Sequence, residues 1–167
     1  MASIRRLVVT AAAVVAAAAA WPVGAAQEIS ASGVGVVTVF DHTKLDSSFA
    51  QALAKGGTAP LWSRTSNYGT SDVSVHSRES TKSACPAQGC SHKVYTAVVI
   101  VTSGAATLVV GGTTKAAART DKFGGQLVPG GESRRISQGD VFIMPPDTLH
   151  WYQDVAGPFR YIEVPVP

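Results

Sequence analysis

The side chains of this sequence best suited to chemistry are imidazoles. Two of them stand beside aromatic residues: His92, three residues before Tyr95, and His150, followed directly by Trp151 and Tyr152. Imidazole nitrogen ligates zinc, iron or copper, and in a metal-free pocket it is an orienting hydrogen-bond group, so the pair admits two chemistries. Two imidazoles alone make a weak metal site, because stable sites usually take three or more protein ligands. His76 and Arg78 share one face of a strand-like segment, Val73 to Arg78, and could complete a polar cluster with His92 and His150. The plainer reading leaves His76 exposed, or hydrogen-bonded within the wall. Tyr95, Trp151 and Tyr152 read either as ordinary strand packing or as an aromatic cage around a small ligand. No Gly-x-Ser-x-Gly, His-Glu-x-x-His, phosphate-loop or dinucleotide motif occurs.

The elements that must position these residues are strands. The chain has 167 residues, 46% apolar and 15% charged, which is room for one domain. Its apolar excess sits at the front: Arg5 and Arg6 precede an Ala/Val run from Leu7 to Trp21, and then come Gly24, Ala25 and Ala26. That pattern is a secretory signal peptide over residues 1–26, too short to span a bilayer, with residues 27–167 as the single mature domain. The expected product is exported, periplasmic or extracellular, with no membrane contact after cleavage. The leader holds two arginines and no acid, so 14 basic residues fall to 12 against 11 acidic, a formal +1. No clustered Lys/Arg with interleaved aromatics remains, which argues against a nucleic-acid partner. In an oxidising compartment, Cys85 and Cys90 with Pro86 and Gly89 between them read first as a local disulfide.

Strand-like runs cover Val34 to Phe40, Leu61 to Arg64, Val73 to Arg78, His92 to Val101, Ala105 to Val110, Ser133 to Ser137, Val141 to Met144 and Phe159 to Val166. The fourth and fifth pair around Ser103-Gly104. One helix is expected from Asp46 to Gly56, with Leu45, Phe49 and Leu53 on its apolar face. Gly112 to Gly131 reads as a long loop or hairpin excursion. This is an all-β protein, a sandwich or barrel preceded by one short helix.

The segment from Gly139 to Asp154 resembles the second motif of the cupin superfamily. Gly139, Pro145 and His150 match at the family spacing, Asp147 stands in place of its Gly, and Asp154 in place of its Asn. Ile100 to Gly112 is similar to the strand, turn and strand that close the first motif, and Gly157 to Ile162 to the final strand. The resemblance implies an antiparallel cupin-type (jelly-roll) barrel with His150 starting a strand and aimed inward. The first motif is depleted: Ala97 falls at its acidic position, and His92 keeps one of its two His positions, with Cys90 or Val94 at the other. What the resemblance implies about function is a small polar molecule bound in the barrel, with His76, Arg78, His92, Tyr95, His150 and Tyr152 around it. His92 and His150 could also hold a divalent transition metal: zinc, iron, copper, nickel or manganese. The alternatives are a metal-dependent enzyme of isomerase, lyase or dioxygenase type, and a non-catalytic partner-binding scaffold. A homodimer through sheet edges is compatible with the family. Glu132 and Glu163, the carboxylates nearest the motifs, are read as solvated strand charges.

Overall fold

A computed structural model describes residues 26–30, 36–66, 69–79, 92, 94–115 and 126–166. The expected leader residues 1–25 and both cysteines, Cys85 and Cys90, lie outside the described residues. A hairpin of β1 (Ala26–Ser30) and β2 (Val36–Phe40) leads into helix α1 (His42–Ala54). Six strands follow: β3 (Thr58–Ser66), β4 (Gly69–Arg78), β5 (Thr96–Lys115), β6 (Gln126–Ser137), β7 (Val141–Met144) and β8 (His150–Val166). All pairings are antiparallel, in the order β3-β4-β8-β5-β6, with β7 on β5. None of the described helices is long and apolar enough to cross a membrane.

The helix begins four residues before the sequence reading places it. Asp41 is its N-cap, accepting from the Lys44 N–H at 2.7 Å, which satisfies a backbone donor that the first turn leaves open. Its buried face is Ser48, Phe49 and Ala52 with Leu45 half-buried, at helical spacing; the expected Leu53 is instead exposed. This face packs on Ala59 of β3, Val75 of β4 and Ile162 of β8.

Ser103-Gly104 is not a hairpin turn. β5 runs on through it, and β8 runs beside β5 for most of its length. Residues 96–101 of β5 pair with residues 161–166 of β8 and with β7, whereas residues 105–110 pair with residues 150–156 of β8 and with β6. The ribbon changes layer where its register shifts, between Val101 and Thr107. Gly104 occupies that corner with φ +71, and a Cβ there would sit 2.7 Å from the Pro158 carbonyl oxygen and 2.9 Å from Phe159 Cα. Only glycine fits both the left-handed backbone and the close approach.

The two halves face each other over one apolar cluster: Ala97, Val99, Val101, Met144, Phe159 and Tyr161 from one layer, and Ala106, Leu108, Ile136 and Tyr152 from the other. The expected barrel is therefore a single antiparallel sheet folded on itself and not closed, with β3 and β6 at the ends of the strand order. The bend in the β5–β8 ribbon brings the layers together without those two strands pairing. The expected excursion is a hairpin extending β5 to Lys115 and starting β6 at Gln126, its tip lying outside the described residues.

Candidate functional site

Strand alternation assigns β4 two jobs. Val75 is buried against α1, whereas His76 and Arg78 lie on the opposite side, toward the sheet interior. Antiparallel register then fixes their neighbours on β8: Ser74 opposes Glu163, His76 opposes Tyr161 and Arg78 opposes Phe159. Arg78 is 4% exposed, and its guanidinium donates to Tyr161 Oη from Nη2 at 2.6 Å and from Nε at 3.2 Å. It also lies 5.6 and 5.5 Å from the ring centres of Tyr152 and Tyr161. Hydrogen bonds and aromatic faces together let a buried cation replace part of its hydration.

His76 stacks on Tyr161, centroids 4.5 Å apart and planes 4° from parallel. Both its nitrogens are occupied: Nδ1 lies 3.0 Å from Thr58 Oγ1 and Nε2 3.0 Å from Ser74 Oγ. Burial first, then the nearby Arg78 and His92, lowers its pKa to about 3, so the ring is uncharged at pH 7 where it approaches Glu163 at 3.6 Å.

Glu163 is the correction to the sequence reading. It is 6% exposed, not solvated, and joins the two ends of the cluster. One oxygen faces His76; the other accepts from Tyr95 Oη at 3.0 Å and lies 3.7 Å from His92 Nε2. The available signal was the alternation Phe159, Tyr161, Glu163, three residues on one face of β8. Glu132 is exposed, as expected.

His92 lies four residues before β5, where the sequence reading had it begin the strand. Its position is set by neighbours: Tyr95 Oη is 2.6 Å from Nδ1, the Tyr95 ring stacks at 4.6 Å, and the backbone carbonyl accepts from the Asp147 N–H at 2.7 Å. The Pro145-Pro146-Asp147 turn thus ties the two histidine segments together, with Asp147 at φ +60 where the motif would place glycine. His150 starts β8, is 3% exposed, and has its Nδ1 3.0 Å from the Thr148 carbonyl oxygen. Burial lowers its pKa, and the electrostatic influence of nearby His92 and Arg78 acts in the same direction against that hydrogen bond. The His92 and His150 rings are 5.3 Å apart.

The structure brings together all six expected pocket residues, His76, Arg78, His92, Tyr95, His150 and Tyr152, and adds Glu163 and Tyr161. Tyr152 contacts His150 edge-on at 6.3 Å, and burial raises its pKa well above that of a free phenol. Strand alternation puts Trp151, between them in β8, on the opposite face of the strand. Among the described residues, no group of three or more His, Cys, Asp or Glu side chains is placed to hold a metal ion. Two polar atoms of the cluster, His92 Nε2 and Tyr152 Oη, are buried without a hydrogen-bond partner.

No family model matches the chain, and no curated protein matches it. Among solved structures, KdgF from Halomonas sp. is similar at TM-score 0.40 and 15% identity, over 66% of this chain and 80% of that one.

Proposed function

We propose that this chain binds a small polar molecule at the interior cluster between β4, β8 and the His92 segment, as a cupin-type protein with a depleted first motif. The observation that carries the reading is His92 Nε2, a polar atom buried without a hydrogen-bond partner beside the bonded side chains of His76, Arg78, Tyr95 and Glu163. Such an atom costs about 1–3 kcal/mol when left unpaired, a cost that a hydrogen-bonding ligand removes. Export after a leader ending near Ala26 and a Cys85–Cys90 bridge belong to the same proposal and rest on the sequence alone.

A second reading is favoured by one observation, the 5.3 Å pairing of His92 with His150. Both imidazoles could serve a divalent metal, with ligand or water completing the shell. One experiment separates the two: titration of zinc, iron(II) and copper(II), and separately of a panel of small polyols, amines and carboxylates, into wild type and His150→Ala. For a metal-free site, wild type takes up no metal at micromolar concentration, and the variant loses about 0.5–1.5 kcal/mol of affinity for the bound panel member. Metal uptake abolished by the substitution supports the second reading. No binding of any panel member or metal refutes both.

A further inference from the structure

Tyr95 has one hydroxyl proton and two partners. Its Oη is 3.0 Å from Glu163 Oε1 and 2.6 Å from His92 Nδ1. A carboxylate only accepts, so the hydroxyl proton is directed to Glu163, and Oη must receive a hydrogen bond from His92. The proton of neutral His92 therefore sits on Nδ1. Nε2 is left with its lone pair, and that atom is buried and unpartnered.

We propose that His92 Nε2 is the proton-accepting group of this site, with Glu163, acting through Tyr95, as the positioning residue that fixes its tautomer. The inference rests on the ligand-site reading above and adds a chemistry to it: the bound molecule carries a weakly acidic O–H, or a C–H next to a carbonyl. In the step, the Nε2 lone pair takes that proton, the bonding pair stays on the ligand's oxygen or carbon, and the ring becomes imidazolium. Glu163 then faces the new charge, 3.7 Å from Nε2 and hydrogen-bonded to the ring through Tyr95. The proton returns to the ligand from the same nitrogen, and the Tyr95–Glu163 bond transfers none.

The other two histidines of the cluster are less suited. His76 has hydroxyls on both nitrogens. His150 also carries its proton on Nδ1, held by the Thr148 carbonyl, but among the described residues no carboxylate contact supports its cation. Among the described histidines of the cluster, His92 combines an Nε2 without a hydrogen-bond partner with a carboxylate reached through a hydroxyl.

The test reads the tautomer directly in the full chain without ligand, by long-range proton–nitrogen NMR correlations of the histidine rings, with His92→Gln providing the assignment. Wild type is expected to show His92 protonated on Nδ1. Glu163→Gln presents an amide that can donate to Tyr95 Oη, which frees the hydroxyl proton for Nδ1; the His92 tautomer should move toward Nε2–H. Tyr95→Phe should lose the Nδ1–H preference. Acylation by diethyl pyrocarbonate supplies a second readout. Nε2 attacks one carbonyl carbon, the N–C bond forms and the C–O bond breaks; Nδ1 then gives up its proton, which the departing ethyl carbonate takes up as it decays to ethanol and carbon dioxide. His92 should react faster than His76, and Tyr95→Phe should slow it by about 2- to 12-fold, the factor that one ordinary hydrogen bond is worth.

Wild-type His92 protonated on Nε2 overturns the proposal, and so does a tautomer that neither substitution moves. If a substituted chain fails to fold, the wild-type tautomer alone decides. Because the tautomer is read without ligand, failure of the binding reading leaves this result intact, and the two failures are separable.

Discussion

His76 makes the fold acid-sensitive in a way that one substitution can isolate. The ring is 8% exposed, held between the Thr58 and Ser74 hydroxyls, and its pKa is lowered from 6.5 to about 3 by burial, then by Arg78 and His92. In the unfolded chain the imidazole returns to about 6.5. Between these values the unfolded state binds a proton that the native state refuses, so stability rises with pH across the window. It is fully present above about pH 6.5 and is lost as the pH falls toward 3. The slope is at most about 1.36 kcal/mol per pH unit, with a ceiling of about 5 kcal/mol for this group. His150, lowered in the same direction by burial, adds to the acid loss but remains when His76 is changed. The assay is urea unfolding of wild type and His76→Gln at several values between about pH 7.5 and 4.5. Glutamine keeps a hydrogen-bonding amide and does not titrate, so it should be less stable than wild type at neutral pH, by about 1–3 kcal/mol. Below about pH 6 the gap should shrink by roughly 1 kcal/mol for each pH unit. Parallel stability curves for the two proteins would refute a neutral, buried His76.

Gly104→Ala should destabilise by at least about 2 kcal/mol in urea unfolding, since its Cβ meets backbone of Ala156, Pro158 and Phe159 at a positive φ. Asp41→Ala should cost about 1 kcal/mol by the same measurement, because the Lys44 N–H loses its acceptor. Asp147→Ala should cost about 1 kcal/mol, whereas Asp147→Gly should be close to neutral, gaining backbone ease at φ +60 and losing it again through a freer unfolded chain. Both Asp147 variants keep the N–H that holds the His92 carbonyl, so His92 ring resonances should stay in place in Asp147→Gly.

Legibility in the sequence followed how local each determinant is. His150 was readable because Gly139, Pro145 and its own spacing describe a turn, a strand and a turn, all within a dozen residues. β7 was readable to the residue, being a short apolar run with turn residues on each side. Ser103-Gly104 misled because Ser-Gly is a common hairpin signature; whether such a glycine turns the chain back or bends it onward depends on what lies across from it. Here that is Ala156 to Phe159, fifty residues away. Glu163 misled for a similar reason. A carboxylate near the end of a strand is usually solvated, and its burial follows from a register that opposes it to Ser74 and from a tyrosine hydroxyl supplied by another segment. The helix start was missed because Asp41 sits directly after a β-branched run, and its role as a cap shows only once β2 ends at Phe40.

The placement of the cluster explains how a small sheet protein tolerates so many buried polar groups. β4 is buried along its last four residues, and its two faces meet different environments. Val75 packs on α1 with Phe49, Ala52 and Ala59, whereas His76 and Arg78 meet tyrosines and a carboxylate. The apolar contacts that fix β4 are thus one residue away from the polar groups they position, on the other side of the same backbone. A buried guanidinium or carboxylate is tolerable only if its partners stay within hydrogen-bond reach. Packing on α1 limits how far β4 can slide past β8, and so keeps Arg78 on Tyr161 and Ser74 opposite Glu163. Arg160 ties the same layers from the far side, its guanidinium 5.5 Å from the Phe49 ring centre and 3.3 Å from Asp46. The helix, though remote from His92 and His150, therefore acts on the site through strand register. Loosening Phe49 would be felt first at Arg78 and Glu163, before it reached the histidines.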